Sequence, residues 1–371
     1  MTPRERILRS IRCQETDRVA VSPFIWVSYA NWYFKAAYAQ ADEALDRKVL
    51  EIYQDFGFDP IVRTCGGSSA NAQKSGDGWE IRTEERVISA DEREVRTSVL
   101  TPGGTLSQLK RYQRVSPYEV VEAETEYLLK SLDDVETLMA WQPEVEELDF
   151  SRISRCRQML GSQGVTAPWM QGVFNTCARL TGLENLMIWA YEDPEAYRRL
   201  MEYTWRRTAK RGRQMAAAGA DILSYEGNMA TGTMTGPAFF REFVLQYEQA
   251  AIKEIREGGA EILYHNCGDC NAMLEAYNEL GISALESLTP PPFGDCDVQR
   301  ARSVLSPHIA AVGNLDQIAF LPKAAPEEVS AAARKLLDVW KGRKGFILAT
   351  SDYLMEDTPA ENLRAMARAV L

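Results

Sequence analysis

From residue 150 onward the sequence repeats one pattern, a short apolar run followed by a long amphipathic segment. The runs fall at 164–168, 220–225, 261–264, 282–285, 309–312 and 345–349, and helical periodicity fills 194–218, 237–257 and 325–340. A strand, a helix and a second strand return the chain to one sheet as a parallel, right-handed crossover. Two earlier runs, 19–26 and 58–63, bring the number of strands to eight. Eight is the number that closes a (β/α)8 TIM barrel. An open doubly wound sheet competes, but no Gly-x-Gly-x-x-Gly follows the first strand to favour nucleotide binding. The expectation is an α/β barrel in which residues 1–371 form a single domain.

Two departures from the rhythm stand out. At the start, Thr2 caps a helix with Pro3 in its first turn and Ile7, Leu8 and Ile11 as its apolar stripe, a helical extension ahead of the barrel. Residues 78–112 instead alternate apolar and polar positions between turn signals, which predicts an inserted antiparallel β-meander with one wet face. Its charges, among them Arg82, Glu84, Glu85, Arg86, Glu92, Arg93 and Glu94, read as a solvated surface. A helix is expected near 42–56, a Gly/Ser-rich loop at 66–69, and a last helix opened by the Thr358-Pro-Ala-Glu361 capping box.

Composition narrows the function. A net charge of −11 argues against nucleic acid and anionic membranes as partners. No apolar run approaches a membrane span, and the first residues lack a signal-peptide core. Seven scattered cysteines suit a reducing cytoplasm better than a disulfide framework. The acidic surface allows a homodimer without requiring one.

In a barrel of this kind chemistry gathers at the carboxyl ends of the strands. Those ends carry Trp26, then Trp169, then Tyr225, Glu226 and Asn228, then His265 and Cys267, then Glu286, then Asn314 and Asp316, then Ser351 and Asp352. His265 is one of only two histidines. In extended chain it points to the same side as Cys267, so imidazole and thiolate can converge on one zinc ion. A strand-to-helix turn holding a buried Cys and a satisfied His explains the same residues without metal, since the four-ligand spacing of a structural zinc site is missing. Glu226 and Asp352 are further ligand or acid/base candidates. Cys270 is a spare candidate placed toward the next helix. Trp26, Tyr29, Trp32, Trp169, Tyr225, Asn228 and Glu286 are the candidate substrate-binding residues, with the aromatic segment 29–38 read either as core packing or as the wall of an apolar pocket.

Five short motifs, taken in order, resemble the uroporphyrinogen decarboxylase superfamily. They are Ala167-Pro-Trp169, Thr235-Gly-Pro-x-x-Phe240, His265-x-Cys-Gly268, Gly313-Asn-Leu-Asp316 and Thr358-Pro-x-Glu-Asn362. The resemblance implies the barrel and two activities, a tetrapyrrole decarboxylase and corrinoid-linked methyltransferases. The decarboxylase holds a polycarboxylate through an arginine-rich first loop. Here that loop is aromatic, with no arginine before Arg47, and without guanidinium forks a polyanion has no partner. The resemblance therefore points to the methyltransferase branch.

By that resemblance His265 and Cys267 are zinc ligands, and Asp352 occupies the position of the third, where the methyltransferases carry Cys and the decarboxylase His. Asp59 falls where the decarboxylase has a catalytic Asp. The implied function is a zinc-dependent methyltransferase moving methyl between a small substrate and a corrinoid (cobalamin) on a partner protein. The substrate would be a methoxylated aromatic (hence O-demethylation), a methylamine-like or a thiol compound. A metal-free decarboxylase or lyase on the same barrel is the alternative.

Overall fold

The computed structural model describes residues 1–38, 42–66, 77–145 and 148–371. The strands, in chain order, are β1 Ala20–Val21, β2 Ile61–Val62, β3 Glu80–Val87, β4 Glu92–Thr101, β5 Gly104–Ser116 and β6 Glu119–Glu126. They continue as β7 Val165–Thr166, β8 Trp169–Gln171, β9 Ile222–Glu226, β10 Glu261–His265, β11 Ala284–Glu286, β12 Ala310–Leu315 and β13 Phe346–Thr350. One parallel sheet runs β1-β13-β12-β11-β10-β9-β8, and β2 pairs with β7. The circle closes through Asp59 N on Val21 O (2.8 Å) and Asp221 N on Thr166 O (3.1 Å). This is the expected (β/α)8 barrel, with its third strand broken into β7 and β8 around Ala167 and Pro168.

The lumen is filled by small and branched side chains. Ala20, Ile61, Val165, Ala167, Ile222, Leu263, Ala284, Ala310, Val312, Ile347 and Ala349 form a cluster of their own, and Ile7 and Ile11 of the N-terminal helix Pro3–Ile11 cap it from below. Thr2 caps that helix as expected, with Glu5 closing the box. An ionic layer seals the same end. Arg4 grips Asp221 (2.5 and 2.6 Å), and Arg6 (2.5 Å) and Arg18 (2.8 Å) converge on Asp59. The lower end of the barrel is thus closed, which leaves the carboxyl end for ligands.

Three expectations are corrected. The meander is a four-stranded sheet, β3-β4-β5-β6, reaching Glu126 rather than ending near 112; the fourth strand is so rich in glutamate that it carries little strand signal. The last helix, Ala360–Arg368, has Pro359 at its cap and no side-chain cap bond. Thr358 is buried and takes no capping role. The segment 237–257 is helical but interrupted by a π-turn over Phe240–Val244. Of the Gly/Ser-rich loop at 66–69, only Gly66 lies within the described residues. The turn between β5 and β6 reaches the loop after β13, where the Ser116 hydroxyl donates to Glu356.

Candidate metal centre

β9, β10 and β11 end level with one another, Glu226 and Glu286 flanking His265 in register. Beyond β10 the backbone turns at Asn266 and presents Cys267. Beyond β13 the chain turns at Ser351 and presents Asp352, whose backbone N–H is held by Gln317 Oε1 at 3.1 Å. The ligand atoms of His265, Cys267 and Asp352 lie within 4.8 Å of one another. Gly227 separates Glu226 from Asn228 for a steric reason, since a Cβ there would sit 2.0 Å from the Tyr264 ring.

His265 is oriented from behind. Its Nδ1 lies 2.9 Å from Glu286 Oε2, and the same oxygen accepts from Arg63 Nη1 at 2.8 Å. The second guanidinium nitrogen of Arg63 bonds Glu286 Oε1, making the pair bidentate. Burial would raise the Glu286 carboxyl pKa. The Arg63 charge and the contacts with His265 outweigh it and hold the value at about 2. An ionised carboxylate only accepts, so Nδ1 carries a proton, and the neutral ring would offer the Nε2 lone pair to a cation. Nε2 faces Asp352 Oδ1 at 3.9 Å.

The cluster is short of positive charge. Burial favours neutral imidazole, yet the bonds with Cys267 and Glu286 and the Asp352 charge raise the His265 pKa well above its usual value. A tetrahedral zinc holds its donors about 3.5 Å apart, so these residues need only close slightly to fit one. Imidazole, thiolate and carboxylate are all zinc donors. The residues present fit the metal.

The other expected site residues divide into those the fold brings here and those it does not. Glu226 accepts from Trp169 Nε1 (3.2 Å) and Asn228 Nδ2 (3.0 Å), and Asn228 is also 3.9 Å from Cys267 Sγ. Trp169 stands edge-on to His265 with centroids 5.0 Å apart, and Trp26 packs on Trp169 at 5.8 Å. Trp169 and Asn228 thus touch the cluster directly, and Glu226 and Trp26 adjoin it through them.

Tyr225 does not. Strand alternation turns it outward, where it is buried with its hydroxyl on Glu248. Tyr29 is fully buried in the helix Val27–Tyr33 and packs on Trp32 at 5.4 Å. Both follow the core-packing reading of the aromatic segment. Glu286 is 2 % exposed and bound to Arg63 and His265, so it orients the imidazole and is not open to a substrate. Asp59 precedes β2 at the closed end, where Arg6, Arg18 and Val21 N hold it. That placement sets it apart from the carboxyl-end cluster and so corrects the catalytic role expected of it. Cys270 is buried outside the cluster.

Two residues had no signal in the sequence. Arg63 is fully buried and reaches Glu286 from 223 positions away, its guanidinium 4.1 Å above the Phe24 ring. Phe24 in turn sits 5.9 Å from His265 and 5.6 Å from Trp169.

The position of Asp59 makes a direct prediction. Asp59→Asn removes the charge from a buried group that accepts from two arginines, and should cost about 1–3 kcal/mol of stability. Bound metal per folded chain should stay unchanged, because the substitution is at the opposite end of the barrel. Denaturant unfolding together with metal determination reads both.

These features define an α/β barrel with a candidate cation site at the carboxyl ends of its strands. More closely, the chain belongs to the uroporphyrinogen decarboxylase (URO-D) family, whose model matches residues 119–371. Among its relatives is the methylated-thiol–coenzyme M methyltransferase of Methanosarcina mazei, 29% identical over 202 residues, 54% of this chain and 52% of the relative. The methylcobamide:CoM methyltransferase MtbA of the same organism is 28% identical over 152 residues, 41% of this chain and 42% of the relative. The matches thus span about half or less of these relatives' length. In structure the chain is similar to a methyltransferase from Methanosarcina mazei. The TM-score is 0.72 at 16% identity, covering 100% of this chain and 98% of that one, a likeness of fold.

Proposed function

We propose that this protein is a zinc-dependent methyltransferase that moves a methyl group between a small substrate and a corrinoid carried on a separate protein. The observation that carries the reading is the convergence of His265, Cys267 and Asp352, with the imidazole held by Glu286 and Arg63 so that Nε2 faces the cluster. The names of the relatives, one acting on methylated thiols and one on methylcobamide, support methyl transfer with a corrinoid partner.

His265, Cys267 and Asp352 would hold the zinc, with Glu226 or substrate in the fourth position. Bound there, zinc supplies Lewis acidity that lets an oxygen or sulfur depart from, or attack, a methyl group as its anion. The remaining work falls to this chain. Trp26, Trp169 and Phe24 form an apolar wall that excludes water and takes the body of a methoxylated aromatic or a methylated thiol or amine. Glu226, oriented by Trp169 and Asn228, is placed to hold or deliver a proton at the departing heteroatom. An aspartate where a second thiolate is expected makes the donor set harder, which favours oxygen substrates.

A metal-free decarboxylase is disfavoured by the state of Arg63. Its guanidinium is bonded to Glu286 and stacked on Phe24, so it is not offered to substrate carboxylates. Metal determination on the purified protein tests the reading. About one zinc per chain is expected, and protein that carries none and takes up none would sink it.

A further inference from the structure

The three donors are not held alike. His265 is fixed from behind by the buried Glu286–Arg63 pair, whereas Asp352 stands on the loop that follows β13, its side chain 22% exposed. The barrel holds the base of that loop. Gln317 Oε1 accepts from Ser351 Oγ at 2.6 Å and from the Asp352 N–H at 3.1 Å, and Leu354 N donates to Phe24 O at 2.9 Å. The oxygen that faces His265, Asp352 Oδ1, accepts from the N–H of Tyr353 at 2.7 Å. The aim of that donor atom therefore follows the backbone at Tyr353.

A second set of ties comes from the inserted meander. The turn between β5 and β6 meets the loop at two points. The Ser116 hydroxyl donates to Glu356, and the Glu119 carboxylate lies within hydrogen-bond reach of the Tyr353 hydroxyl. The turn is itself anchored: Ser116 Oγ accepts from Tyr118 N at 3.0 Å, and Pro117 O accepts from Tyr38 N at 3.3 Å. On its other side the Tyr353 ring stands edge-on to Phe24, centroids 6.1 Å apart. Tyr353 is thus held by the meander at its hydroxyl and by the wall of the centre at its ring, while its N–H holds the Asp352 carboxylate.

We propose that the meander braces the metal centre. Through Ser116 and Glu119 its β5–β6 turn fixes the loop 351–356 and with it the Asp352 carboxylate, which makes Ser116, Glu119 and Tyr353 positioning residues for the third ligand. The inference rests on the zinc reading above. A partner that orients a ligand sets metal affinity by about 10–100-fold, and these residues act one step further out, at the lower end of that range.

Ser116→Ala/Glu119→Ala should weaken zinc binding about 10-fold in competition with a chromogenic chelator. Tyr353→Phe, which keeps the ring and loses only the hydroxyl, should weaken it in the same direction. Ser116→Thr, which keeps a hydroxyl, should bind as the wild type does. So should Glu85→Ala, which breaks an exposed ion pair with Arg93 elsewhere in the meander. With cobalt(II) in place of zinc, the double variant should keep the charge-transfer band of the Cys267 thiolate while its ligand-field bands change as Asp352 is displaced. A merely structural loss would move the thermal midpoint and leave those bands alone. The proposal is overturned by a double variant with wild-type zinc affinity and cobalt spectrum, or by Glu85→Ala losing as much affinity. The wild type tells this failure from that of the zinc reading: taking up neither metal overturns both, and binding both metals with no effect of the variants overturns the brace alone.

Discussion

His265→Ala should abolish methyl transfer while leaving the barrel standing. Losing a residue that only orients a zinc ligand already costs about 10–100-fold in affinity or activity, so losing the ligand itself should lower methyl transfer by at least ~10²-fold. Bound zinc should fall well below stoichiometric. Stability should change much less, because Glu286 keeps both contacts with Arg63 when the imidazole is gone. Zinc content, methyl transfer and thermal midpoint measured on one preparation separate these effects. Full zinc with full activity in the variant would contradict the site.

Arg63→Met should act first on stability. The side chain is fully buried and its partner Glu286 nearly so. Removing one member of a buried pair leaves an uncompensated charge and costs about 3–5 kcal/mol. The pH dependence follows with a definite sign. The Glu286 pKa is lowered from 4.5 to about 2, so its contribution is in place above pH 4.5 and lost as the pH falls toward 2. Without the Arg63 charge, burial dominates and pushes that pKa up. Acid unfolding of the variant should therefore begin at higher pH than in the wild type. An acid transition at the same pH in both proteins would show that Arg63 does not govern the carboxylate. His265 should also lose its fixed tautomer, so zinc affinity should fall along with stability.

The fold was legible because barrel strands are buried apolar runs spaced by helices, a pattern written locally in the chain. His265 and Cys267 were legible for a similar reason, rare residue types two positions apart at a strand end. Other features depend on register, which the sequence does not specify. Tyr225 and Glu226 are neighbours, and only the strand's parity decides that Glu226 faces the centre and Tyr225 faces Glu248. Asp59 lies just ahead of β2, which begins at Ile61, so it falls at the closed end of the barrel although its motif position suggested a catalytic role. The partnership of Arg63 with Glu286 spans 223 positions, and nothing near either residue announces it. Asp352 came from counting positions by resemblance, and the fold brings it within 3.9 Å of His265.

The most direct test of methyl transfer at this centre is to mix the protein with reduced corrinoid protein and a panel of methoxylated aromatics, methylamines and methylated thiols, following methyl-cobalt formation by absorbance. The account predicts that at least one donor class gives the methyl-cobalt spectrum with zinc-loaded protein, that chelation abolishes the signal, and that added zinc restores it. Methyl-cobalt formed at the same rate by zinc-free protein, or by protein carrying His265→Ala, would contradict it.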